Sequence, residues 1–106
     1  MLSSVEKIGE ATVVKLPGTR LDASVADGFK DSIRELIHAG ECQVIVDFSS
    51  IEFMDSSGLG ALVGAMKLMG TGGTIEIATP NDAVMKVLRL TRMNKVFTIL
   101  DSIPVR

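Results

Sequence analysis

Residues 43–78, QVIVDFSSIEFMDSSGLGALVGAMKLMGTGGTIEIA, decide the fold. The run QVIVDF at 43–48 is apolar without alternation in its middle, as expected of a strand covered or flanked on both sides. After the connection SSIEFMD, a helix is expected from Ser57 to Met69, with Leu59, Leu62, Val63, Met66 and Met69 on its buried face. The run Gly70-Thr71-Gly72-Gly73 ends it, and Thr74–Ala78 gives another strand. A strand, a helix and a second strand in this order form a crossover unit, with residues 43–48 as the central strand.

Working outward, TVVKL at 12–16 is a short β-branched run stopped by Pro17-Gly18, and a strand near Val5–Ile8 precedes it. From Ala23 to Ala39 the residues Val25, Ala26, Phe29, Ile33, Leu36 and Ile37 recur at helical spacing, with Asp22 as N-cap and Gly40 as the stop. Asn81 or Asp82 caps a further helix through Thr91 that buries Val84, Val87 and Leu88. Val96–Leu100 reads as a strand or as the start of a short terminal helix. The order β-β-α-β-α-β-α-β is built of strand–helix–strand crossovers, and predicts an α/β domain with a mixed sheet whose later strands are parallel.

At 106 residues, 46% hydrophobic and with only three prolines, the chain fits one domain with one core. It carries no internal repeat, linker or low-complexity tract. Eleven basic residues, scattered along the chain, face thirteen acidic ones, and four phenylalanines are the only aromatics, so nucleic acid is a poor partner. The single cysteine, Cys42, excludes an intrachain disulfide and a multi-cysteine metal site, and reads as a small buried residue at a strand start. The N-terminal segment has no apolar run of signal-peptide length, and no stretch reaches the roughly 20 apolar residues of a membrane span. The expectation is a cytoplasmic protein without direct membrane insertion.

The chemistry concentrates in Asp47 to Gly64, DFSSIEFMDSSGLGALVG, where the central strand gives way to a helix. Sites in α/β sheets gather at that edge. Asp55, Ser56 or Ser57 occupies the cap and first turn, where free N–H groups and the positive end of the helix dipole favour an acceptor oxygen or an anion. A phosphate on Ser57 would sit in that field. The plainer alternative is that Asp-Ser-Ser only caps the helix, while Gly58 and Gly60 let the backbone approach its neighbours. The Gly60-x-x-x-Gly64 spacing reads as close helix-on-sheet packing, and Phe53 as a core anchor.

Other chemistries fail on position. A dinucleotide fingerprint needs glycine at 63, which is Val63, and a phosphate-cradling loop needs a lysine at the helix start, whereas Lys67 lies about three turns in. No bound cofactor or metal is therefore expected. The one histidine, His38, falls near the end of the first helix, where a solvated side chain is expected. Neither Ser56 nor Ser57 has an evident histidine partner, so no catalytic residue is assigned.

Phe53-Met54-Asp55-Ser56-Ser57-Gly58-Leu59-Gly60 resembles the phosphorylation motif of the STAS-domain anti-sigma-factor antagonists, and Gly18-Thr19-Arg20-Leu21-Asp22 is similar to that family's Gly-x-Leu-Asp element with one additional residue. The resemblance covers nearly the whole chain and implies one STAS domain over residues 1–106, with helices mainly on one face of a mixed sheet. It also implies partner switching without catalysis by the antagonist. A GHKL-type kinase that doubles as the anti-sigma factor binds the unmodified chain, phosphorylates Ser57 and releases it, and a phosphatase resets the cycle. Asp22, Asp55, Ser56 and Gly58 then shape the surface the kinase grips, with Asp22 beside the serine. Two alternatives stay open, an accessory subunit of a membrane transport complex and a small enzyme using Asp55 and Ser57.

Overall fold

The computed structural model describes residues 2–104. Its main sheet has five strands in the order β1 (Ser4–Ile8), β2 (Ala11–Lys15), β4 (Gln43–Asp47), β6 (Thr74–Ala78) and β7 (Thr98–Leu100). The central position of β4 is the one its unbroken apolar run requires. β1 and β2 are antiparallel and are joined by a two-residue turn in which Gly9 takes φ +61°, the conformation that favours glycine at the first turn position. All later pairings in this sheet are parallel.

Three helices supply the crossovers: α1 (Ala23–His38), α2 (Ser56–Met69) and α3 (Asp82–Leu90). There are thus three strand–helix–strand units, as the expected order requires, and of the two readings of the C-terminal segment the strand holds: residues 98–100 pair with β6 and form no terminal helix. Alternation along the strands splits their side chains between two faces. Val14, Val44, Val46, Ile75 and Ile77 join Phe29 and Ile33 of α1, Leu62 of α2, and Val84 and Leu88 of α3 in one core. On the other face Ile8, Ala11, Val13, Ile45 and Ala78 form a second cluster, against which Leu100 and Ile103 pack.

The buried face of α2 differs from the expected one. Gly58, Ala61, Leu62, Ala65 and Met69 are buried, whereas Leu59, Val63 and Met66 are only partly covered. Three of those five positions are glycine or alanine, which lets the backbone of α2 lie close to its neighbours. Cys42 is exposed, not buried: it precedes β4 and contributes its backbone carbonyl to Thr74 N–H at 2.9 Å, leaving the side chain outside the core.

Two further strands, absent from the sequence reading, carry the site. β3 (Arg20–Leu21) and β5 (Phe53–Met54) form a separate parallel ribbon with Arg20 opposite Phe53 and Leu21 opposite Met54. Each is two residues long, too short for any periodicity. Each also runs directly into the N-cap of a helix, β3 into α1 and β5 into α2.

Candidate functional site

The ribbon sets two helix N-termini side by side. Because Leu21 pairs with Met54, the residues that follow, Asp22 and Asp55, leave the ribbon at the same level, and each caps a helix. Asp22 accepts from the Ser24 N–H at 3.0 Å and from the Ser24 hydroxyl at 2.6 Å. Asp55 accepts from the Gly58 N–H at 2.9 Å. Both caps satisfy a first-turn donor that has no partner within its own helix.

Arg20 ties the ribbon together. Its Nε lies 3.0 Å from Asp22 Oδ2, and its guanidinium sits over the Phe53 ring, 4.4 Å from the centroid. Hydrogen bonds from Ser24 and then from Arg20 hold the Asp22 carboxyl below its ordinary pKa. Phe53 itself is 40% exposed and is not a core anchor. In a two-residue strand one side chain points in and the other out, and here Met54 takes the inner place at 3% exposure.

Gly58 makes the closest approach in the site. A β-carbon built at this position would lie 2.0 Å from the Leu21 carbonyl oxygen and 2.9 Å from Leu21 Cγ. The same carbonyl accepts a long hydrogen bond from Asp55 N–H at 3.4 Å. The first turn of α2 is therefore pinned on β3 by contacts that only glycine permits. Gly60 and Gly64 do not pack on the sheet as their spacing suggested. Gly60 has nothing within 4 Å of its missing side chain, and Gly64 lies beneath the Lys30 tail, where a β-carbon would stand 3.2 Å from Cε.

Ser56 and Ser57 occupy the first two positions of α2, and both are exposed. Ser57 lines a depression of about 330 Å³ between α1 and α2, together with Gly60 and Ala61 of its own helix and Ala23, Ala26, Asp27 and Lys30 of the other. Asp22, Asp55, Ser56, Ser57 and Gly58 are thus gathered at the paired N-termini, with Gly58 facing inward. Lys30, Asp27 and Arg20 were not singled out from sequence. Lys30 and Asp27 sit in the middle of a helix whose polar face gives no hint that a second helix starts at the same level.

His38 is exposed at the end of α1, as a solvated side chain should be. Among the described residues no group of three or more His, Cys, Asp or Glu side chains is placed to hold a metal ion. Among them, too, no helix is long and apolar enough to cross a membrane.

Residues 3–104 match the STAS domain family. The anti-sigma F factor antagonist of Paenibacillus polymyxa is 30% identical over 92 residues, which span 85% of this chain and 78% of the relative. The crystal structure of the Thermotoga maritima protein TM1081 superposes with a TM-score of 0.86 at 25% identity, covering 94% of this chain and 86% of that one. The anti-sigma factor antagonist SpoIIAA has the same fold in its unphosphorylated form, at TM-score 0.72 and 24% identity over 97% of this chain and 90% of that one. A further structure holds the Bacillus SpoIIAA in a phosphorylated form, at TM-score 0.69 and 24% identity over 93% of this chain and 90% of that one.

Proposed function

The chain belongs to the STAS-domain family and, within it, to the anti-sigma factor antagonists, and from that premise we propose that it is a cytoplasmic partner of an anti-sigma factor whose grip is released by phosphorylation of Ser57. The observation that carries the reading is an exposed hydroxyl on a helical first turn held rigid from below, through the contact of Gly58 with Leu21. Rigid presentation matters because a kinase must place the hydroxyl in line with the phosphorus it attacks.

In this scheme a GHKL-type kinase acting also as the anti-sigma factor supplies ATP and the base. The Ser57 oxygen bonds to the γ-phosphorus, the bond from that phosphorus to the β,γ-bridging oxygen breaks, ADP leaves, and the hydroxyl proton passes to the kinase. A phosphatase returns serine and inorganic phosphate with water. The antagonist contributes no catalytic group. Asp22, Asp55 and Ser56 form the rim of the surface the kinase grips, and Gly58 holds that surface in place from within.

A phosphate is strong enough to act as the switch. A charge near −2 about 6 Å from a partner carboxylate costs about 1–5 kcal/mol for effective dielectrics between water and the protein surface. At about 1.4 kcal/mol per decade this weakens binding by tenfold to several thousandfold. The test is intact-mass measurement after incubation with ATP and each GHKL-type kinase of the source organism. A gain of one phosphate, abolished in Ser57→Ala, is the expected result. No gain with any of the kinases counts against the proposal and in favour of an accessory role in a membrane transport complex.

A further inference from the structure

The depression beside Ser57 is built from two matching helical stripes. Ala23, Ala26, Asp27 and Lys30 on α1 follow the spacing i, i+3, i+4, i+7 from the first residue after the N-cap, and Ser57, Gly60, Ala61 and Gly64 on α2 follow the same spacing from the second. Five of these eight residues, Ala23, Ala26, Gly60, Ala61 and Gly64, are alanine or glycine, and they keep the floor between the helices low. Among the described residues Lys30 is the only basic one that lines the depression. Its tail lies across α2 at Gly64, with Cε 3.2 Å, Cδ 3.5 Å and Nζ 3.6 Å from where a side chain would begin.

We infer that Lys30 is a positioning residue for the modified state, and that its ammonium group moves along the groove to hold the phosphate once Ser57 carries one. The inference rests on the phosphorylation proposed above. From Gly64 back to Ser57 is seven residues, about 10 Å along the helix axis. The lysine tail and the phosphoserine arm share that distance, over a floor that Gly60 leaves open. Among the described residues Lys30 makes no ion pair, so nothing charged has to be broken for it to move. Arg20, the other cation near the paired N-termini, is already engaged by Asp22 and Phe53. Asp27, Asp22 and Asp55 are the acidic groups around the phosphate and oppose its second ionisation. Lys30 faces it from α1 and favours that ionisation.

The test places phosphoserine at position 57 during translation, so that it does not depend on any kinase, and follows the phosphate by phosphorus NMR as pH is varied. Lys30→Gln is expected to raise the second pKa of the phosphate by about half a unit, from the loss of one positive charge at about 4 Å in a largely aqueous setting. Lys30→Arg is expected to restore most of the shift, and Lys86→Gln, on α3, to leave the titration unchanged. A Lys30→Gln titration that coincides with the unsubstituted phosphoprotein overturns the inference, as does a shift produced by Arg20→Gln in its place. Failure of every kinase to modify Ser57 strikes the switch itself and leaves this titration readable.

Discussion

Replacing Gly58 by alanine sets two opposing effects against each other within one turn of helix. In a helix interior alanine is favoured over glycine by about 1 kcal/mol, and by that criterion the substitution stabilises. The added β-carbon, however, would stand 2.0 Å from the Leu21 carbonyl oxygen and 2.7 Å from its carbon, which are backbone atoms of a paired strand and cannot rotate away. Overpacking of this kind costs about 1–3 kcal/mol, and the rigidity of the contact places this case at or above the upper end. A net loss of about 2 kcal/mol is expected, or a melting temperature about 10 °C lower for a domain of this size. Gly60→Ala, with nothing within 4 Å, is the matched control and should raise the melting temperature by about 5 °C. Urea and thermal unfolding of the two variants give both numbers. A Gly58→Ala protein as stable as the unsubstituted one would refute the claim that this contact sets the position of α2.

The depressed pKa of Asp22 gives a pH dependence of definite sign. A carboxyl held below its unfolded value, which is about 4, contributes stability above that value and loses it as pH falls through the lower, folded one. The stability difference between the unsubstituted chain and Asp22→Asn should therefore be larger at pH 7 than at pH 3; equal differences in urea unfolding at the two pH values would contradict it. Phe53→Ala should cost about 1 kcal/mol, chiefly its contact with Arg20, whereas Phe29→Ala, at 1% exposure, should cost about 3–5 kcal/mol. Similar losses for the two in denaturant unfolding would mean that Phe53 is anchored more deeply than its 40% exposure states.

How much of this was legible in the sequence follows from how each part is encoded. The three helices and the first four strands of the main sheet each carry a periodic or β-branched signal several residues long, whereas the three-residue β7 is too short to tell a strand from a terminal helix; the central place of QVIVDF follows from its unbroken apolar run. The β3–β5 ribbon carries none, since two-residue strands have no period. Its registry, and hence the meeting of Asp22 with Asp55, was not legible at all; the resemblance of Gly18–Asp22 to a family element implied only that Asp22 lies beside Ser57. The glycines misled in a specific way. The Gly60-x-x-x-Gly64 spacing suggested packing on the sheet, yet of the α2 glycines only Gly58 meets backbone at close range, because which face of a helix turns inward at its first turn is set by the strand that precedes it. Phe53 and Cys42 were placed inside on residue type. Both lie at the ends of short segments, where a hydrophobic side chain need not follow the core.

Titration calorimetry of the GHKL-type kinase with the unmodified chain, Ser57→Ala and Ser57→Glu bears most directly on the switch. Ser57→Ala should bind as tightly as the unmodified chain and persist in the presence of ATP. Ser57→Glu, which introduces one charge where a phosphate brings about two, should bind several-fold more weakly or worse. Equal affinities of Ser57→Ala and Ser57→Glu would contradict the claim that negative charge at the start of α2 releases the partner.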